Sequence, residues 1–432
     1  MTEAEQRRQD YRKTMMLTES LPKIIIRMAA PSIVSFLITS IYNLADTFFV
    51  SSLGTNATAA VSVNASLDQI IMMAGSMLAV GAASYISRLL GARKEERASR
   101  VFSVAFFSAM AFGAVVMVLG LAFMRPMVRL LGATDTCEQY AAEYASYVLL
   151  AAPFMAANFV MNQCLRAEGS AMLSMIGMGF GGILNCFLDP LFICLSPRLF
   201  RPDGTIVGQI VSVGSSSLFR NGLAVISAIV LNRIAGGISD SVLAGIGVST
   251  KVMMFPFGVI LGFGTGFQPV AGFNWGAKRY DRVEESYRFA ARTAVVGAAV
   301  MGVLLAIFAE PLITLFAKAD PEMQAVGALA IRLQCLALPA HSWVAVVNML
   351  CAGLGKALGA VLLSTARQGT CFLPIVYPMT MLGGANGVAA VQAVADVLSI
   401  ALAVPLVRRM KAMIRQAAQD AALRPQGEEA AP

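Results

Sequence analysis

Two aspartates and one asparagine stand deep inside long apolar segments of this chain, where ionisable side chains are costly. Asp46 follows Arg27 by 19 positions, and Asp189 follows Gly169 by 20. At 1.5 Å of rise per helical residue, both carboxylates lie about 28–30 Å from the same end of their segments. Asn185 precedes Asp189 by one helical turn and therefore shares its face. The spacing predicts one shared polar site at the outer level of a membrane.

Two carboxylates in a pocket of low dielectric constant cannot easily both stay ionised. Either one of them binds a proton near neutral pH, or both coordinate a cation such as Na⁺ together with the amide oxygen of Asn185. This is the chemistry of a cation-coupled exporter that uses H⁺ or Na⁺ as coupling ion and needs no other cofactor. The alternative is structural, with Asp46 capping one helix end and Asp189-Pro190 ending another.

The composition indicates that the segments around these residues span a membrane. Hydrophobic residues make up 57% of the 432 residues and charged residues only 13%, whereas soluble proteins carry about 25% charged residues. Several charge-free runs reach the roughly 20 residues that cross hydrocarbon, namely 101–124, 144–165, 170–188, 252–277 and 333–355. We predict an all-α polytopic membrane protein with 11–12 transmembrane helices.

The chain also contains an internal repeat. Gly91-Ala92-Arg93 returns 185 positions later as Gly276-Ala277-Lys278, and Gly169 returns as Gly355. Internal repeats in a polytopic membrane protein are typical of secondary transporters, whose substrate path lies between the halves.

The acidic residues do not repeat. Leu231 stands at the position of Asp46 and Ile375 at that of Asp189. The ion site is therefore predicted in the first lobe alone.

The repeat divides the chain into five parts. These are a cytoplasmic N-terminal segment (1–22), a first lobe of five helices (23–195), a connection with a degenerate sixth helix (196–213), a second lobe with helices seven to twelve (214–410) and a cytoplasmic tail (411–432). The helix at 385–407 should have a counterpart near 199–221, but Arg201-Pro202-Asp203-Gly204 interrupts that stretch. We therefore expect the sixth helix to be shortened or missing.

Basic residues cluster at segment ends, which the positive-inside rule places in the cytoplasm. The clusters lie at 7–27, 88–100, 278–292 and 408–415. If nothing crossed the membrane before Gly214, the basic loop at 276–292 would lie outside. We therefore expect a short or irregular crossing near 196–213 and one common orientation for both copies, with both termini in the cytoplasm.

The residues needed by several other functions are absent. His341 is the only histidine, which excludes a His-based metal site or a Ser-His triad, so we expect no enzyme. Gly262-Phe-Gly-Thr-Gly266 lacks a following lysine and no Walker motif occurs, so we expect no nucleotide binding; the glycine pair predicts a close helix contact instead. The net charge of +8 resides at segment ends and does not indicate nucleic acid.

Four short motifs resemble those of the multidrug and toxic compound extrusion (MATE) family, of bacterial type. They are Asn43-Leu-Ala-Asp46-Thr-Phe-Phe-Val, Gly81-Ala-Ala-Ser84 with Ser87-Arg-Leu-Leu-Gly91-Ala, Leu165-Arg-Ala-Glu-Gly169, and Asn185-Cys-Phe-Leu-Asp189-Pro-Leu-Phe-Ile193. The resemblance covers roughly residues 20–410. It implies two six-helix lobes around a V-shaped central cavity, with alternating access driven by H⁺ or Na⁺ in the bacterial cytoplasmic (inner) membrane.

The resemblance assigns the cation- or proton-coupling role to Asp46, Asn185 and Asp189, which would also form the Na⁺ site if Na⁺ is the ion. It implies export of organic cations and other amphipathic drugs, and we expect a monomer in the lipid bilayer. The acid that some members carry on the tenth helix is absent from 338–355. The chain thus resembles members that rely on the first lobe.

Further residues are candidates for the substrate cavity or for structural roles. Asn43, Asp68, Asn162 and Met253 are assigned to the cavity; Asp68 lies near the midplane and could meet a cationic substrate, and methionines such as Met253 suit an adaptable apolar surface. Asp396 is interpreted as structural.

Two alternative functions stay open. A flippase for lipid-linked precursors would favour a basic central cavity, and the sequence shows no intramembrane arginine cluster. A transport-impaired remnant would follow from loss of the sixth helix.

Overall fold

A computed structural model describes residues 14–51, 55–130, 138–179, 203–314 and 321–423 of the chain. Within these ranges the regular structure is helical and no strand occurs. Nine stretches of the described residues are long and apolar enough to cross a membrane. The predicted class, an all-α polytopic membrane protein, is confirmed.

The helices fall into two copies of the same series. The first copy comprises α1 Leu21–Ser51, α2 Thr55–Gly91, α3 Glu95–Ala122, α4 Met124–Leu130, α5 Glu138–Ala167 and α6 Ala171–Gly179. The second comprises α7 Gly204–Gly236, α8 Asp240–Gly276, α9 Tyr280–Ile307, α10 Ala309–Thr314, α11 Pro321–Gly353, α12 Ala357–Thr365, a π-helical segment Ala366–Thr370, and α13 Phe372–Leu423.

Corresponding helices match in length and in the way they end. The helices α2 and α8 both have 37 residues. Arg93 and Lys278 adopt left-handed φ angles of 58° and 59°, and Gly169 and Gly355 adopt φ angles of 88° and 72°. After each of these four residues, the next N–H donates to the carbonyl five positions earlier, which is the Schellman cap. The repeat seen in the sequence is therefore a repeat of backbone structure.

Four of the nine membrane-length stretches lie in the first copy and five in the second, and the last of these, Ala357–Ala421, contains two helices. The chain turns at Gly384, where φ is 52° and ψ is −130°, and the rest of α13 continues as the last transmembrane helix. Its expected counterpart falls partly on residues 180–202, which lie outside the described residues. The degenerate sixth helix, the short crossing and the five-part division of the chain stay predictions.

The helix α7 begins at Gly204, ten residues upstream of residue 214, where the predicted second lobe begins. The carboxylate of Asp203 caps it by accepting a hydrogen bond from the Thr205 backbone N–H, and the Thr205 bonds hold the pKa of Asp203 below its ordinary value. Residue 214, the predicted start, is the first of four small residues, Gly214–Ser217, inside this helix. In the structure Gly214 packs against the backbone of Met77, so small residues there serve helix packing.

Both copies point their basic loops toward the same end of the bundle, called the basic end below. At this end the Arg97 guanidinium lies 3.1 Å from Thr205 Oγ1, and Arg282 donates to the Glu19 carbonyl at 2.7 Å. The two copies therefore share one orientation, as the basic clusters predict.

The two lobes meet along the halves of α2 and α8 that lie nearest the basic end. A methyl group on Gly91 would overlap the Phe273 carbonyl, and one on Gly276 would overlap the Arg88 carbonyl. Arg88 and Phe273 are themselves counterparts in the repeat, so the contact follows an approximate two-fold axis. These backbone contacts hold the lobes together at the basic end.

Neighbouring helices extend this seam between the lobes. A Cβ on Gly262 would lie 2.6 Å from Ile33 Cα, and one on Gly266 would lie 2.5 Å from Ala29 Cα. The close helix contact predicted for this glycine pair is confirmed, and its partner is α1 of the other lobe.

Replacing Gly276 with valine should prevent the lobes from closing at the basic end, because a side chain there has no space. We expect Thr265→Cys, now almost buried at the seam, to become several-fold more reactive toward a membrane-impermeant maleimide applied from the cytoplasm, in a background free of other cysteines. Gly297→Val is the matched control, since a Cβ at Gly297 meets nothing within 4 Å. Equal labelling of the two valine variants would contradict the seam assignment.

Candidate functional site

The predicted first-lobe ion site lies largely outside the described structure. Asp46 and Asn43 lie on the helical backbone of α1, and Asp68 lies on that of α2, but their side chains are outside the described residues. Asn185 and Asp189 are outside them entirely. The grouping of Asp46, Asn185 and Asp189 stays a prediction.

Two residues assigned to the substrate cavity occupy packed positions. Asn162 is 4% exposed; its amide donates to Asn158 Oδ1 at 2.8 Å, and its oxygen accepts from Ser174 at 3.2 Å, joining α5 to α6. Met253 is fully buried in a hydrophobic cluster with Ile260 and Leu338. Both assignments stay predictions, and the described contacts give each residue a packing role.

The second lobe contains a buried ion pair between the π-helical segment and the last helix. The Nε atom of Arg367 donates to Asp396 Oδ1 at 2.8 Å, and the Asp396 side chain is 2% exposed. The widened turn is defined by the Cys371 N–H, which donates to the Ala366 carbonyl at 2.9 Å. Such π-helical turns are rare and occur frequently at functional sites.

Two rings complete this cluster, which we call the second-lobe cluster: Phe257, His341, Arg367 and Asp396. The guanidinium carbon of Arg367 lies 4.0 Å from the centroid of the Phe257 ring, a cation–π contact. The rings of Phe257 and His341 pack edge to face, with centroids 5.1 Å apart. His341 Nδ1 lies 3.8 Å from Asp396 Oδ1, beyond hydrogen-bond distance.

The second-lobe cluster lies near the middle of the membrane. The depth of each residue is the length of helix between it and the residue at which its helix reaches the basic end. These end residues are Gly353 for His341, Ala357 for Arg367 and Arg408 for Asp396. Each separation corresponds to about 15–18 Å of helix, which is halfway through a hydrocarbon core of about 30 Å.

Helices of the second lobe surround the cluster. Phe257 comes from α8, His341 from α11 and Asp396 from α13, and on the side of α7 the Ser227 hydroxyl donates to the Gln368 carbonyl of the π-helical segment. The pair therefore lies inside the lobe, away from lipid.

Sequence reasoning singled out Asp396 and His341 separately and missed Arg367. The polar stretch Ser364–Thr370 interrupts the apolar run, so the arginine resembles a residue at a helix end. The sequence did contain one signal for Arg367: its distance from the start of its helix places it at the membrane centre.

A small cavity lies between the lobes on the side of the basic end. It has a volume of ≈10 Å³ and is lined by Val80, Ala83, Gln163, Arg166, Thr265, Gln268 and Pro269. This volume suits a single water molecule and no drug. The structure thus has its lobes closed at this level.

The described residues hold no group of three or more histidine, cysteine or acidic side chains that could bind a metal ion. The predicted Na⁺ ligands are among the residues whose side chains are not described, so the choice between Na⁺ and H⁺ stays open.

Comparison with known proteins relates the chain to drug transporters. The MatE family profile matches residues 31–191 and 217–378. The multidrug export protein MepA of Staphylococcus haemolyticus (strain JCSC1435) is 22% identical over 406 residues, covering 85% of this chain and 89% of that protein. MepA of Staphylococcus aureus (strain N315) is 25% identical over 407 residues, with the same coverage.

Solved structures share the fold. The outward-facing conformation of a multidrug resistance MATE family transporter of the MOP superfamily superposes with a TM-score of 0.86 at 23% identity, covering 93% of this chain and 98% of that one. A crystal structure of MATE in complex with MaL6 gives a TM-score of 0.86 at 22% identity, covering 93% and 99%.

Proposed function

The chain belongs to the MatE family, the multidrug and toxic compound extrusion transporters, and on that premise we propose that it exports organic cations and other amphipathic drugs in exchange for H⁺ or Na⁺. The chain is an integral membrane protein. We assign it to the bacterial cytoplasmic membrane, with both termini inside, as a monomeric transporter without enzymatic activity.

The observation that carries this proposal is the seam between the lobes. Two copies of one helical unit touch along half of α2 and half of α8, through glycines and backbone carbonyls. Along the same seam Ile24 and Met28 of α1 pack with Phe267 of α8 in one buried cluster. This geometry suits two lobes that open alternately to either side of the membrane.

For coupling we retain the first-lobe residues Asp46, Asn185 and Asp189. The equal depth of Asp46 and Asp189, and the helical face that Asn185 shares with Asp189, favour one ion site; the MATE-like motifs around Asp46 and Asp189 support the same assignment. Proton or Na⁺ binding between the two carboxylates would relieve their repulsion and so link the ion gradient to the conformation of the lobe.

A lipid-linked precursor flippase, the alternative, would use excess positive charge in the cavity. In the described second lobe, the Arg367 charge is neutralised by Asp396. The described cavity between the lobes is lined by one arginine, Arg166, which is less positive charge than a phosphate site of clustered arginines would offer.

The proposal predicts efflux of ethidium from energised bacteria that lack their own drug pumps. Cells expressing the chain should lose ethidium faster than cells with an empty vector, because the antiporter converts an ion gradient into export. Collapsing the H⁺ and Na⁺ gradients with ionophores should remove the difference. Absence of efflux from cells with verified membrane expression would contradict the proposal and favour an impaired remnant.

A further inference from the structure

The second-lobe cluster lies about 15–18 Å from the basic end, nearer the middle of the membrane than the predicted first-lobe ion site at about 28–30 Å. Cys371 is the repeat counterpart of Asn185, and Arg367 lies one helical turn before Cys371 on the same face. Asp396 lies on the last helix, which has no counterpart among the described residues of the first lobe. The second lobe therefore holds a buried carboxylate, Asp396, on a helix that the predicted first-lobe site does not use.

The contacts of Asp396 decide which ion it can accept. Its Oδ1 atom accepts from Arg367 Nε at 2.8 Å, where the guanidinium fills the position that a metal cation would take. A Na⁺ ion there would lie against a fixed positive charge. A proton, in contrast, adds to the carboxylate oxygen itself and needs no further ligands.

We propose that Asp396 is a second ion-binding residue of this transporter and that its ion is a proton. The proposal rests on the proposed function of ion-coupled export. In the step, one proton joins a carboxylate oxygen of Asp396 and gives a neutral carboxyl group. Arg367 keeps its charge and loses its ionic partner.

Loss of the ion pair would remove a contact between the two helices that are joined by the turn at Gly384. Arg367 and Asp396 are 29 residues apart and lie on either side of the turn at Gly384. The ion pair thus ties the π-helical segment to the last helix. Protonation of Asp396 removes this tie and frees Arg367 to move relative to the Phe257 ring.

Among the described residues, only Arg367 and His341 face Asp396 with ionisable groups. The helices α7 and α8 contribute the uncharged Ser227 and Phe257, and Gln392 lies one turn before Asp396. His341, with 13% of its side chain exposed, lies 3.8 Å from the carboxylate, so its resonance senses the charge of Asp396.

The single histidine allows a direct test. In protein labelled with ¹³C-histidine and reconstituted in lipid nanodiscs, the one imidazole signal reports charge changes at Asp396. We expect its chemical shift to show an inflection with pH that Asp396→Asn removes. The surface variant Asp281→Asn should leave the curve unchanged, since that side chain is 67% exposed and remote from the cluster.

A second variant keeps the test decisive if Asp396→Asn fails to fold. Arg367→Gln should move the inflection upward by about one pH unit or more, because a nearby guanidinium favours the ionised carboxylate. Identical curves for the wild type and the available variants would overturn the proposal. The readout does not depend on transport, so a chain that shows the inflection but exports no drug would refute only the proposed function.

Discussion

Asp189→Asn should reduce ethidium efflux to the level of cells that lack the protein. The substitution keeps the size of the side chain and removes the negative charge, so the proposed first-lobe site would lose one of its two carboxylates for H⁺ or Na⁺. Charged side chains within membrane segments are costly and therefore mark function by default. The measurement is the efflux rate from energised, pump-deficient cells at matched membrane expression.

A matched control separates this effect from a general effect of losing a carboxylate. Asp281→Asn removes an aspartate that is 67% exposed and pairs with Arg279 at 3.3 Å. It should leave efflux close to the wild-type rate. Full efflux by Asp189→Asn would remove Asp189 from the coupling site.

Arg367→Leu should destabilise the protein by about 3–5 kcal/mol, because it leaves the Asp396 carboxylate buried without its ionic partner. The double variant Arg367→Leu/Asp396→Leu should recover most of that loss, since neither charge remains. Thermal unfolding of the purified protein in detergent measures both. Recovery in the double variant would establish that the loss of stability comes from the unpaired charge and not from lost packing of the apolar parts of the two side chains.

The control for this cycle is another arginine–acid pair with the same hydrogen-bond length. Arg332 donates to Glu310 at 2.8 Å, but the two side chains are 47% and 67% exposed. Arg332→Leu should therefore cost less than about 1 kcal/mol. If Arg367→Leu/Asp396→Leu is no more stable than Arg367→Leu, the unpaired Asp396 carboxylate is not the cause of the destabilisation.

The repeat made much of the fold predictable from the sequence. Gly91 recurs as Gly276 after 185 residues and Gly169 as Gly355 after 186, because the same helix caps occur in both copies. The start of α7 was missed because residues 196–213 were assigned to the connection with a degenerate sixth helix, whereas α7 already begins at Gly204.

The second-lobe cluster was only partly predictable. Asp396 and His341 stand out as ionisable residues in apolar segments, but Arg367 is distant from both of them in the sequence. Their contact depends on a hairpin turn at Gly384 and on a π-helical turn, and neither has a clear signature in hydrophobic periodicity. Packing roles, such as those of Asn162 and Met253, also depend on contacts between distant helices.

The central claim, that this chain couples drug export to an ion gradient, is tested most directly with purified protein in proteoliposomes. Ethidium movement is followed after imposing either a pH gradient or a Na⁺ gradient across an otherwise symmetrical membrane. Our account predicts ethidium transport against its own gradient under at least one of the two conditions, abolished by Asp189→Asn. Folded, inserted protein that moves no ethidium under either gradient would contradict it.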